Sequence, residues 1–335
     1  MIRQVLAALF VALALPAAGQ SCQEGQRLFA SPSLVDGPLC VPEAPERIVF
    51  LEQQWLIGRL MDAPMAIENR HARDYLKLYP GMLTEAERAG LMDLGAMLEH
   101  QVDPELIAAA RPDLIVSVSN LQETNDKLRD LAPLAVFDWG EIDGRTPRMV
   151  AFVADLLRAD GAAERLAAEL ETRYHAVKET IGKARPTVTV VEAPAKGSDT
   201  LRVMTASSAV GQVVGALGLE PGPGVLDAKA SAAISGNTSV YSVSLESVGD
   251  LAADYIVIIG SGHDGEGAFD PSDPIWQAIP AVAEGRFIAR LQDDDHYYGR
   301  TPLANHLVLD DLIRLLLDRD PAEVAPNPYA AWLPR

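Results

Sequence analysis

The chain reads as an α/β protein of two lobes, each a mostly parallel sheet flanked by helices, joined by one long interlobe α-helix. Three observations predict this. Thr146 to Ala184 is helical in pattern almost throughout, with apolar residues at three- and four-residue steps from Met149, Val150 and Val153 to Tyr174, Val177 and Ile181. On both sides of it β-branched runs alternate with amphipathic stretches, as in strand–helix–strand units. DPELIAAARPDLIVSV in the first half is echoed by SLESVGDLAADYIVII in the second: a short helix carrying Glu105 or Glu246, a turn, then a buried strand. A length of 335 residues accommodates two cores.

Residues 1–19 read as a secretory signal peptide. Arg3 supplies the positive start, Val5 to Leu15 is an apolar core too short to span a bilayer, and Ala17-Ala18-Gly19 offers small residues for cleavage. The mature chain is therefore expected in the periplasm. Cys22 raises the alternative of a lipid anchor, but Gly19, Gln20 and Ser21 lack the Leu and small-residue pair such signals carry. Cys22 and Cys40 are the chain's two cysteines. In an oxidising compartment they are expected to close a disulfide around a hairpin, contributing about 3 kcal/mol.

Residues 20–145 form the expected first lobe. Arg47 to Glu52 is a strand, followed by a helix over Trp55 to Met61 and an irregular stretch, Ala66 to Pro80, dense in Arg, His and Tyr. A helix over Leu106 to Ala110 leads to the strand Leu114–Val118, and a helix over Asn125 to Leu131 to the strand Leu134–Phe137. The joining helix, 146–184, has Thr146 to cap it and Pro147 at its first position. It would reach about 55 Å if continuous; Gly161 is the point where it can kink or break.

Residues 185–335 form the expected second lobe. Thr187 to Glu192 is a strand, Ser208 to Leu217 a helix with Gly218 as its cap, and Leu245 to Leu251 a short helix before the strand Tyr255–Ile259. Arg286 to Leu291 is the last strand and Leu303 to Leu317 an amphipathic terminal helix, followed by a Pro-rich tail.

Hydrophobic residues make up 48% and charged residues 22%, and the formal net charge is −19. Such an acidic chain is a poor partner for nucleic acid, which needs clustered Lys and Arg, but a local Arg pocket can still hold a small anion.

PERIVFLE, DPELIAAARPDLIV and DPIWQAIPAVAEGRFIAR, in this order around the long helix, carry a resemblance. Over residues 36–318 the chain resembles the periplasmic substrate-binding proteins of ABC importers for iron–siderophore, haem and cobalamin, the helical-backbone class. The resemblance implies a monomeric receptor with no enzymatic activity and no covalent cofactor. Its ligand would sit between the lobes: an Fe(III)–siderophore complex, or alternatively haem or cobalamin. It implies little hinge motion, and docking of Glu105 and Glu246 onto Arg residues of an inner-membrane ABC permease. An exposed Glu at a helix start also has a plain electrostatic reason.

In open α/β sheets, ligands meet the loops at the carboxyl ends of the strands. Those loops carry Gln53, Trp55, Arg70, His71, Arg73 and Trp139 in the first half. In the second half they carry Asn237, Tyr241, His263, His296, Tyr297, Tyr298 and Arg300. Guanidinium groups fit carboxylate, catecholate and hydroxamate oxygens, and aromatic rings cover a chelate's apolar edges. Arg70, Arg73 and Arg300 therefore suit a negatively charged ferric chelate, with HYYGR (296–300) the strongest single candidate. Any one Arg can equally be a solvated surface charge.

Sharper alternatives were weighed on their residues. His71, His263 and His296 could ligate haem iron together with Tyr75, Tyr79, Tyr241, Tyr297 or Tyr298, but they lie on separate loops without close ligand spacing. Gly260 to Gly265 is formally GxGxxG, yet the third Gly opens no helix. Asp293 to Asp295 lacks the spaced ligands of a calcium loop. A secreted two-lobed hydrolase or chelatase would need a nucleophile elbow, a triad or a metal set, and no GxSxG, HExxH or P-loop is present.

Overall fold

The computed structural model describes residues 21–68, 70–93, 102–140, 145–195, 197–260, 269–291 and 295–334; the expected signal peptide lies outside them. Cys22 and Cys40 form the expected disulfide, closing an antiparallel hairpin of β1 (Gln26–Phe29) and β2 (Leu39–Pro42). From this hairpin Arg27 donates to the carbonyls of Asp155 at 3.1 Å and Leu156 at 2.6 Å, capping a helix end that would otherwise leave them unpaired. Phe29 meets Phe152 edge-on at 5.4 Å. The hairpin is thus a cover on the first lobe's core.

The first lobe is built on β3 (Ile48–Phe50), the short pair β4 (Ile67–Glu68) and β5 (Met92–Asp93), β6 (Leu114–Val118) and β7 (Leu134–Phe137). Strands β3, β6 and β7 run parallel in that order. All three are buried along their length, as unbroken β-branched and apolar runs require when helices cover both faces. The stretch expected to be irregular is instead the helix Arg70–Leu78. Tyr75, Leu76 and Tyr79 form a narrow buried stripe that the Arg and His content obscures.

The second lobe holds a mixed sheet of β8 (Val188–Glu192), β9 (Thr200–Met204), β10 (Val240–Ser244), β11 (Tyr255–Ile259) and β12 (Phe287–Arg290), in the order β10-β9-β8-β11-β12. Pairings β8–β11 and β11–β12 are parallel, β8–β9 and β9–β10 antiparallel. "Mostly parallel" therefore describes the first lobe but not the second, where β9 and β10 add an antiparallel edge.

The single helix expected over 146–184 is two helices, Arg145–Leu157 and Ala162–Ile181. Arg158 and Gly161 adopt φ of +54° and +74°, left-handed conformations that a right-handed helix cannot propagate through. The first helix belongs to the first lobe, with Met149, Phe152, Val153 and Leu156 in its core. The second, about 30 Å long, passes from one core to the other: Leu166 lies in the first, and Leu170, Tyr174 and Val177 lie in the second.

The helix Pro302–Leu317 packs beside it and makes the same passage. Leu303 and Ala304 enter the first core, and Val308, Leu309, Leu312 and Ile313 the second. The Pro-rich tail then folds back over this joint. Tyr329 donates to Glu169 at 2.7 Å, and Trp332 meets Tyr79 edge-on at 6.4 Å. Two lobe-spanning helices and a returning tail hold the joint, where one helix was expected.

Candidate ligand-binding cleft

Between the lobes lies a cavity of about 310 Å³. Its first-lobe wall is Trp139, just beyond β7, whose backbone N–H donates to Ser119 Oγ at 3.0 Å. The second lobe contributes Arg202 and Met204 from β9, Ser208, Asn237, and Tyr298 and Arg300 from the segment after β12. Ser208 caps the helix Ala209–Ala216 by accepting from Gly211 N, which places the start of that helix on the cavity wall.

Arg300 sits where the lobes meet. Its backbone N–H donates to Gln53 Oε1 of the first lobe at 2.8 Å. Burial lowers its pKa, although an Arg stays protonated under all ordinary conditions. Among the described residues no carboxylate lies within ion-pair distance of its guanidinium. Arg202, by contrast, is balanced: its Nη1 lies 3.2 Å from Glu192 Oε1 at the end of β8. The Tyr298 hydroxyl is 2.7 Å from the other Glu192 oxygen and 2.9 Å from the carbonyl of Gly260. Burial pushes the Glu192 carboxyl up, while Tyr298 and Arg202 pull it down. Among the described residues, the unbalanced charge on the wall is therefore Arg300.

Of the residues expected at the ligand, the structure brings Trp139, Tyr297, Tyr298 and Arg300 to this cavity. Tyr297 reaches it only with its edge, because its hydroxyl donates inward to Asp311 at 2.9 Å. Arg70, His71 and Arg73 lie on the helix Arg70–Leu78, which packs against the turn Asp295–Tyr298 across the lobe boundary. Arg73 is half-buried there; the side chains of Arg70 and His71, and His263 altogether, lie outside the described residues.

Three candidates turn away. Trp55 is fully buried in the first core, on the inward face of the helix Gln54–Leu60. Tyr241 points into the second lobe, accepting from Leu226 N at 3.1 Å and donating to Gly224 O at 3.3 Å. His296 is buried with Nε2 at 3.5 Å from Asp311 Oδ2. Tyr75 and Tyr79, weighed as haem ligands, are core residues as well. Asp293, Asp294 and most of the GxGxxG stretch lie outside the described residues.

Arg202, Met204 and Ser208 were not expected at the site. The alternation in TLRVM, with Leu201 and Val203 inside and Arg202 outside, was the available signal for β9. Glu105 and Glu246 match beyond their sequence echo. Each is exposed two residues after a helix-capping side chain, Asp103 or Ser244, which accepts from its backbone N–H.

The sequence profile of the periplasmic binding proteins matches residues 91–292, more than half of the chain. The chain belongs to this family. Members of the family are transport receptors, so this periplasmic binding protein is not an enzyme. No curated protein matches it by sequence. Among solved structures, a periplasmic binding protein component of a ferrichrome ABC transporter from Bacillus subtilis superposes with a TM-score of 0.66 at 19% identity, covering 85% of this chain and 98% of that one. Staphylococcus aureus SirA complexed with staphyloferrin B gives 0.64 at 18% identity, covering 86% and 98%. The Fe3+–Desferal-bound siderophore-binding protein FhuD from Vibrio cholerae gives 0.63 at 17%, covering 84% and 99%. At these identities the likeness establishes the fold.

Proposed function

We propose that this periplasmic binding protein is a receptor for a ferric siderophore, an anionic Fe(III) chelate, which it holds in the interlobe cleft and delivers to the permease of an ABC importer. The observation that carries the reading is Arg300, a half-buried cation on the cavity wall with no carboxylate beside it among the described residues. A guanidinium withdrawn from water and left unbalanced favours an anionic guest that supplies the missing charge. Trp139 offers a flat apolar face, and the Asn237 amide offers hydrogen bonds to ligand oxygens. The siderophores named in two of the similar structures agree with a siderophore as the guest.

In this reading residues 20–145 and 185–335 are the lobes and 146–184 the connection. Glu105 and Glu246, one exposed on each lobe, dock the permease. Titrating the purified protein with ferric citrate, a ferric catecholate, a ferric hydroxamate, haem and cobalamin, while following Trp fluorescence, tests the proposal. Saturable quenching by a ferric chelate is expected. Response to haem or cobalamin alone would reassign the ligand, and silence to all five would overturn the reading.

A further inference from the structure

A second cavity, of about 470 Å³, lies in the same interlobe space. It is bounded by the two helices of the connection, by the helix Ala209–Ala216 and by the start of the helix Pro302–Leu317. Its surface is apolar: Val150 from the first lobe, Leu166, Ala167 and Leu170 from the lobe-spanning helix, and Val213 and Ala216 from the second lobe. The two cavities are lined by neighbouring residues of the same two segments. Ser208 and Ala209 line the first and Gln212 the second, one turn further along one helix. Arg300 lines the first and Pro302 the second.

We infer that this groove takes a hydrocarbon arm of the same ligand, so that the receptor's substrate class is an amphiphilic ferric chelate with an acyl or similar apolar tail. The inference rests on the siderophore reading for the head group. Geometry supports it, because a guest whose anionic head pairs with Arg300 has the apolar groove directly alongside, past Pro302. Chemistry supports it too: among the described lining residues no cation is present to anchor a second anionic head, and the charged ones, Glu164 and Glu171, are exposed carboxylates. An apolar arm would cover Pro147, Ala163, Ala167 and Ala216, which keep exposed apolar surface, and each methylene of the arm so buried strengthens binding.

The test compares the ferric complexes of N-succinyl- and N-(dodecenylsuccinyl)-desferrioxamine B, both mono-anionic and differing in the hydrocarbon chain, and adds dansylundecanoic acid as a probe of the groove alone. The dodecenyl chelate is expected to bind at least about ten-fold more tightly. Dansyl fluorescence should rise on binding and fall when the dodecenyl chelate is added. Ala167→Glu, at an exposed helical position lining the groove, is expected to abolish both effects while leaving the affinity for the ferric N-succinyl-desferrioxamine B unchanged. Equal affinities for the two chelates, or a dansyl signal that Ala167→Glu does not alter, would overturn the groove. Loss of both chelates with an Ala167-dependent dansyl signal would overturn the siderophore reading and leave the groove standing.

Discussion

Arg173 and Asp310 form an ion pair at the joint between the lobes, with side chains only 4% and 5% exposed. Arg173 comes from the helix Ala162–Ile181 and Asp310 from the helix Pro302–Leu317, the two elements that pass between the cores. The guanidinium also donates to the carbonyls of His306 at 3.1 Å and Ala325 at 2.9 Å, and Asn327 donates to the second Asp310 oxygen at 2.8 Å. The next residue, Asp311, faces the cleft side instead, accepting from Tyr297 Oη and Arg290 Nε at 2.9 Å each. One helix therefore anchors both the joint and the cleft segment. A buried network with its members paired rigidifies what it connects.

Breaking one side of this pair is expected to cost more than removing both. Arg173→Met should destabilise the protein by about 3–5 kcal/mol, because Asp310 stays buried without its cation. Adding Asp310→Leu should recover much of that loss. Urea unfolding of the single and double variants measures it; a single variant as stable as the wild type would show that the pair does not hold the joint.

Acid should weaken the same joint through His306. Burial first, and the Arg173 charge second, lower its pKa to about 3, with Nδ1 lying 3.0 Å from Arg173 Nη1. This folded value lies below the unfolded value of about 6.5. The contribution of the neutral ring is thus complete above about pH 6.5 and is lost as pH falls toward 3, by at most about 1.4 kcal/mol per pH unit. Asp311, which burial would raise but hydrogen bonds from His296 and Arg290 hold well below the usual carboxylate range, loses its contribution only below about pH 4. His306→Asn should flatten the stability profile between pH 4 and 6; an unchanged slope would assign it to another group.

Arg300→Ala is expected to weaken binding of an anionic ferric chelate by about ten- to a hundred-fold, the range for losing a charge-assisted hydrogen bond. Arg300→Lys should recover part of the affinity, keeping the charge but losing the planar fork. Fluorescence titration at two salt concentrations separates this from surface screening, which would disappear at the higher one.

Glu105→Ala combined with Glu246→Ala should abolish uptake of the iron chelate through the permease and leave its affinity for the isolated receptor unchanged. Both side chains are exposed, so folding is not at risk. Weakened chelate binding in the double variant would move these residues out of a docking role.

Much of the fold is legible in the chain because its signals are local. The strands Leu114–Val118, Leu134–Phe137 and Tyr255–Ile259 have their expected bounds, since uninterrupted apolar runs between turn residues leave no other conformation that buries them. Of HYYGR, Tyr297, Tyr298 and Arg300 reach the cavity and His296 does not. β9 was not recognised, and Arg202 was lost from the expected site with it. Its alternation is only five residues long, and β9 gains its place from pairing with β8 and β10.

Periodicity, capping residues, the Cys22–Cys40 pair and the echo around Glu105 and Glu246 were set by residues a few positions apart, and they were readable from the chain alone. The tertiary structure decided which side chains face the cleft. It buried Trp55 and Tyr241, brought Arg202 to the wall, and left Arg300 without a carboxylate partner among the described residues. It also split the connecting helix at Arg158 and Gly161 and added a second passage at Pro302–Leu317. Arg173 meets Asp310 over 137 positions of chain, and Arg300 meets Gln53 over 247. Burial and pairing at that range depend on which surfaces pack together, and no local pattern encodes that.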